Sequence, residues 1–180
     1  VVTDGCTHAL ELCLRYQKPK EVLIPKHTYL SVPMLLHNLR IKWKFVLGDE
    51  QFENRIPNYW KGEYRLEGTN IWDSARRLNQ NMYMAGQFQC LSFGWDKPLQ
   101  LGRVGAILLD NKAEYEMFSC WRSDGRDLRI SPWETQEVFG DGYHYCPTLE
   151  DCARGIELLP TVDPEPKQVK YPDLRKINFK

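Results

Sequence analysis

The sequence predicts an α/β domain built on a largely parallel sheet. Three observations lead there. Short apolar runs alternate with a helical stretch: EVLIP over 21–25, a helix from His27 to Leu39, then WKFVL over 43–47. Strand, helix, strand at that spacing marks a βαβ unit. TNIWD over 69–73 reads as a strand with a carboxylate at its C-terminal end, the edge of an open α/β sheet where ligands sit. QCLSFGWDKPLQLGRVGA over 89–106 starts as a buried strand through Cys90, Leu91 and Phe93 and turns at Gly94. It then presents Lys97, passes Gly102 and Gly105, and returns in a second apolar strand, 106–109.

The 180 residues suffice for one domain with a substantial core. Lys+Arg and Asp+Glu balance at 24 each, which gives no electrostatic basis for binding nucleic acid or an acidic membrane. No apolar run is long enough for a transmembrane helix, and no signal peptide is visible. Whether a chain that opens Val-Val-Thr without Met is a fragment stays open at this point. The six cysteines (6, 13, 90, 120, 146 and 152) form no CxxC pair and read as reduced thiols of a cytoplasmic protein. His144 and Cys146 match no common zinc-ligand spacing, so no metal site is expected.

In chain order, 3–16 is a loop entering a helix, with Thr7 as its cap and Ala9, Leu10, Cys13 and Leu14 on its apolar face. Its small, polar start (TDGCTHAL) leaves the first backbone N–H groups open to an anion. The 27–39 helix should turn Leu30, Met34, Leu35 and Leu39 inward despite Pro33, and the strand after it should stop at Gly48-Asp49. Residues 51–62 read as a surface excursion, and SARRLN after Asp73 as helical. Asp73 is then either a helix cap or a ligand-facing acid. An amphipathic helix is expected over 111–123 with Tyr115, Phe118 and Trp121 inward, and a long loop over 125–145. Thr148 should cap a helix to Leu159 with Leu149, Cys152, Ile156 and Leu159 inward, followed by an extended, proline-containing tail.

Lys97 is either a solvated loop lysine or a desolvated amine used for a Schiff base, since its backbone is fixed by strands on both sides. Its neighbours favour the second. A phosphate-ready helix start, an aromatic after a strand, a strand-end Asp and a loop lysine are the groups that pyridoxal phosphate (PLP) requires.

These residues carry a resemblance. CTHALELCLR, EVLIPKHTYLSV, IWDSARRLN, LSFGWDKPLQLGRVGAIL and GYHYCPTLEDCARGIELL occur in the order of motifs in the DegT/DnrJ/StrS family of PLP-dependent sugar aminotransferases, and together they span most of the chain from Gly5 to Leu159. The resemblance implies an aspartate aminotransferase-like (fold type I) architecture: a three-layer α/β/α large domain with a mostly parallel central sheet, and a small domain largely missing. It implies that residues 1–160 form a reduced PLP-binding large domain and that 161–180 form the tail. It places Cys6 and Thr7 at the phosphate-binding helix start, Tyr29 over the cofactor ring and Asp73 on the pyridine nitrogen. Ser92 falls at the phosphate and Lys97 at the Schiff base. Arg76 and His144 stand where the family has Gln and Asn, Arg76 beside the ring phenolate and His144 reaching a neighbouring subunit's phosphate region. Asn79 and Cys146 depart from a family Gly and Arg.

The expected function is therefore a PLP-dependent aminotransferase acting on a sugar or nucleotide-sugar with an amino-acid donor, in a homodimer. Two alternatives stand beside it: a reduced relative that keeps the fold or binds PLP as a binding or assembly protein, and a PLP enzyme of another reaction type.

Overall fold

The structure is a computed structural model that describes residues 1–46, 62–162 and 171–179. Its strands are β1 (Val2–Thr3), β2 (Glu21–Ile24), β3 (Lys42–Phe45), β4 (Tyr64–Arg65), β5 (Ile71–Asp73), β6 (Phe88–Ser92) and β7 (Gly105–Leu108). The helices are α1 (Cys6–Gln17), α2 (Ser31–Asn38), α3 (Lys112–Trp121) and α4 (Leu149–Leu158). The strand stop at Gly48-Asp49 and most of the expected 51–62 excursion lie outside the described residues.

The main sheet has the order β1-β7-β6-β5-β4, and β2 pairs with β3 in a parallel pair of its own. That pair meets the main sheet through a bridge between Leu23 and Glu67 just beyond β4, with both N–H···O bonds formed at 3.0 and 3.1 Å. The α/β expectation holds, but the sheet is mixed. β2–β3 and β5–β6 are parallel, whereas β1–β7, β4–β5 and β6–β7 are antiparallel. The reason lies in connection type. The chain between β6 and β7 doubles back as a compact loop instead of crossing over through a helix, and only a crossover delivers the next strand parallel.

β6 is the central strand, buried from Phe88 to Leu91 between β5 and β7. Against this face lies α1, whose Ala9, Leu10, Leu12, Cys13 and Leu14 are buried in one core with Val22, Ile24, Leu36, Ile71, Phe88 and Ile107. α1 ends where Lys18 takes a left-handed conformation and its N–H donates to the Leu14 carbonyl, just ahead of Pro19. Phe118 of α3 is fully buried and meets Tyr16, Phe88 and Trp121 edge-on, with centroids 5.5–5.9 Å apart.

Several expectations need correcting. Thr7 does not cap α1; Gly5 holds the cap position without a side-chain bond, and the Thr7 hydroxyl pairs with Ser31 Oγ at 2.9 Å. α2 starts at Ser31, four residues later than read, so Leu30 and Met34 are exposed while Val32, Leu35 and Leu36 face the core. Tyr115 lies on the outer face of α3. In α4 the expected stripe of Leu149, Ile156 and Leu159 is exposed; the helix touches the body instead through Gly155, which lies over Leu101, and Leu158, which joins the Leu99–Leu101–Val104 cluster. SARRLN is a turn, not a helix, because its polar groups are committed sideways: Arg76 N–H to the Gly62 carbonyl, and Ser74 Oγ and Arg77 to Glu63. The tail is not simply extended. It forms a short 3-10 turn at Leu174–Lys176 and buries Leu174.

Candidate active site

Parallel pairing of β5 and β6 brings their carboxyl ends level, since Asp73 is opposite Cys90 and Ser92 follows two residues on. The antiparallel partner of Ser92 is Gly105. A Cβ at Gly105 would lie 2.4 Å from both Cys6 N and Gly5 C, so only glycine lets the start of α1 approach this closely. Strand ends and helix start thus converge: Asp73, Ser92, and the open amides at Cys6 and Thr7. The Cys6 thiol points to the Cys90 carbonyl at 3.6 Å, and burial together with the nearby Asp73 carboxylate pushes its pKa up.

Asp73 is buried, and each of its carboxylate oxygens accepts a hydrogen bond. Its Oδ1 accepts from Ala75 N–H at 3.0 Å and its Oδ2 from the Tyr64 hydroxyl at 2.9 Å; Thr28 Oγ1 in turn lies 2.5 Å from the Tyr64 oxygen. With its one proton given to Asp73, Tyr64 accepts from Thr28. Burial raises the Asp73 carboxyl above its ordinary range, opposed by those two hydrogen bonds and by the charges on Lys97 and Arg76.

The loop carrying Lys97 is stapled at its base. Phe93 N–H donates to Val104 O, and Leu101 and Gly102 N–H both donate to Phe93 O at 2.8–3.0 Å. Gly102 has φ +101°, and a Cβ there would run into the Trp95 ring at 2.7 Å. Leu99, Leu101 and Val104 bury the loop's underside. Lys97 is therefore no solvated loop lysine: its side chain is 11% exposed, with Nζ 3.4 Å from the Tyr171 hydroxyl and 3.6 Å from Asp96 Oδ1.

Arg76 is buried at the same place. Its Nε donates to the Tyr171 hydroxyl at 3.1 Å, Nη2 pairs with Asp96, and the guanidinium lies 5.3 Å from the Tyr171 ring centroid. Burial alone would push the Asp96 carboxyl up, but Lys97 and Arg76 together hold it below its ordinary range. Tyr29 is exposed, its ring 6.0 Å from that of Tyr171. Beneath the Asp73 turn, the fully buried Glu63 carboxylate pairs with Arg77 and accepts from Ser74 Oγ at 2.9 Å and Gln89 Nε2 at 3.3 Å. This network fixes the backbone that carries Ala75 and Arg76.

Of the residues read from sequence, Cys6, Thr7, Asp73, Arg76, Ser92 and Lys97 gather at this end of the sheet, and Tyr29 reaches it through Tyr171. His144 stands apart, 88% exposed and paired with Asp124 at 3.1 Å. Thr28, Glu63, Tyr64, Asp96 and Tyr171 were missed. Thr28 sits next to Tyr29 in a motif already singled out, and Asp96 sits beside Lys97; Glu63, Tyr64 and Tyr171 give no local signal. An open cleft lined by Arg15, Lys18, Arg40, Trp121 and Tyr143 lies at the opposite end of α1 and contains none of these groups.

No protein-family model and no curated protein matches the sequence. Solved structures match it. PseC of Helicobacter pylori, an aminotransferase involved in the biosynthesis of pseudoaminic acid, gives a TM-score of 0.66 at 16% identity, over 89% of this chain and 53% of its own. The sugar aminotransferase CalS13 of Micromonospora echinospora gives 0.66 at 16%, over 89% and 56%. A GDP-4-keto-6-deoxymannose-3-dehydratase with a trapped PLP-glutamate geminal diamine gives 0.64 at 15%, over 90% and 56%. The chain has the fold of PLP-dependent sugar aminotransferases. It spans about half the length of each of these structures.

Proposed function

We propose that this chain is a PLP-dependent, aminotransferase-like protein acting on a sugar or nucleotide-sugar through a Schiff base on Lys97. The observation that carries the reading is the largely covered Lys97 side chain sharing one end of the sheet with the buried Asp73 carboxylate and the start of α1. PLP, when bound, supplies an aldehyde for a lysine and a protonated pyridine ring that draws electrons from an amino substrate.

The chain's own groups suit that cofactor. Asp73, oriented by Ala75 N–H and Tyr64, would hold the ring nitrogen protonated. The amides of Cys6 and Thr7, with Ser92, would take the phosphate. Tyr29 offers a ring face, and Arg76 would donate to the phenolate oxygen. Lys97 would hold and return the substrate's proton. A homodimer belongs to this reading, with the exposed His144 reaching toward the partner's phosphate region, as does completion of a three-layer α/β/α large domain. The six free thiols suit a reducing, cytoplasmic setting.

A second reading is a reduced relative that keeps the fold, or binds PLP without turnover, and serves as a binding or assembly protein. It is favoured by the Tyr171 hydroxyl standing on both Lys97 and Arg76. One experiment separates the two: load the protein with PLP and follow its visible absorption in a single turnover with L-glutamate or an amino sugar. The proposal expects a visible band on loading and its conversion by an amino donor. A band that no donor shifts, or the absence of any band, removes the first reading and supports the second. Sedimentation of the same loaded sample as a monomer would remove the dimer.

A further inference from the structure

Residues 171–179 are built into the site, not merely adjacent to it. Leu174 is 1% exposed, and its N–H donates to the Lys26 carbonyl at 3.0 Å. His27 Nδ1 meets the Tyr171 carbonyl at 2.9 Å, and Asp173 lies 4.0 Å from Lys26 Nζ. The Phe179 ring packs edge-on to Trp43, with centroids 5.3 Å apart. These anchors fall on the segment that follows β2 and on β3, and they hold Tyr171 beside Lys97.

The chemistry of what Tyr171 touches is specific. Its hydroxyl oxygen accepts from Arg76 Nε at 3.1 Å and from Lys97 Nζ at 3.4 Å. Its ring lies 5.3 Å from the Arg76 guanidinium and 6.0 Å from the Tyr29 ring. A flat ring with a phenolic oxygen is thus held by an aromatic face, an arginine donor and a lysine amine. Those are the three groups assigned above to the ring, phenolate and aldehyde of PLP. An N–H bonded to one oxygen is not fully available to another, and an amine turned toward a hydroxyl is not presented to an aldehyde.

We propose that Tyr171 is an internal occupant of this site: its phenol masks Lys97 and Arg76, and a pyridoxal-type aldehyde must displace it to reach the lysine. The proposal rests on the PLP reading for its ligand, whereas the masking of Lys97 by Tyr171 stands on the contacts alone. Tyr171 is accordingly a residue that controls access to the amine, and the anchor at Leu174 sets where the segment remains when the ring moves aside.

Tyr171→Phe in the full chain tests this, since it removes the hydroxyl and keeps the ring and the Leu174 anchor. In cofactor-free protein, reductive methylation with formaldehyde and cyanoborohydride is followed at Lys97 by mass spectrometry, with the 89%-exposed Lys112 as internal reference. The Lys97 rate relative to Lys112 should rise about fivefold in the variant, the scale of one lost hydrogen bond. An unchanged or lower relative rate overturns the masking. Titration with PLP, read by visible absorption, should then show about fivefold tighter binding in Tyr171→Phe. Equal or weaker PLP binding by the variant overturns the competition. If neither protein binds PLP, the functional reading fails and the competition fails with it, and the methylation rates decide the masking by themselves.

Discussion

Asp73→Asn is expected to leave the chain folded and to weaken PLP binding about ten- to hundredfold. A charge-assisted hydrogen bond contributes about 1.5–3 kcal/mol, and each ~1.4 kcal/mol is a factor of ten in affinity. The amide keeps the shape and can still accept from Ala75 N–H, but it carries no charge to hold a pyridinium. Stability should move the other way. Burial raises the Asp73 carboxyl, so the folded state holds that proton more tightly than the unfolded chain does. The stabilisation from that proton is fully present below the ordinary carboxylate range and is lost as pH rises through the raised value. Asn has no such loss. Urea unfolding should therefore find the variant equal to the parent at about pH 3 and gaining on it as pH rises toward neutral. A variant that unfolds at neutral pH, or binds PLP as the parent does, contradicts the role assigned to Asp73.

Glu63→Ala should cost about 3–5 kcal/mol, the effect of removing one partner of a buried ion pair. Its carboxylate has no exposed surface in the side chain and serves Arg77, Ser74 Oγ and Gln89 Nε2 at once. Truncation would leave the Arg77 charge and two polar groups without that acceptor beneath the Asp73 turn. Against a typical domain stability of about 5–15 kcal/mol, this is a large fraction. The measurement is the urea midpoint at neutral pH. Glu63→Gln, which retains an oxygen for Ser74 or Gln89, should lose less. A Glu63→Ala midpoint within experimental error of the parent would show that the network does not hold the turn.

What was legible in the sequence is what spacing encodes. The βαβ start, the strand ending at Asp73 and the strand–turn–Lys97 loop were readable because apolar runs and glycines mark them, and they proved to be β2–α2–β3, β5 and β6 with its loop. The buried face of α1 was readable from its 3.6-residue period. Faces chosen by long-range packing were not. The apolar stripe of α4 reads as core, but the helix contacts the body through Gly155 and Leu158. The mixed sheet was hidden for the same reason, since the direction of β7 depends on how the Lys97 loop folds back. The site was legible where one motif carries one role, as at Lys97 and Asp73. It was not legible where a residue arrives from far away: Tyr64 supports Asp73 from the neighbouring strand, and Tyr171 bonds Lys97 across 74 positions.

The central claim, that Lys97 is the amine that takes the cofactor, is tested most directly by reduction and peptide mapping. Protein loaded with PLP is treated with borohydride, digested, and searched by mass spectrometry for the pyridoxyl adduct. The account predicts the adduct on Lys97, and its disappearance in Lys97→Ala without transfer to another lysine. An adduct spread over exposed lysines such as Lys112, or none at all, would contradict it.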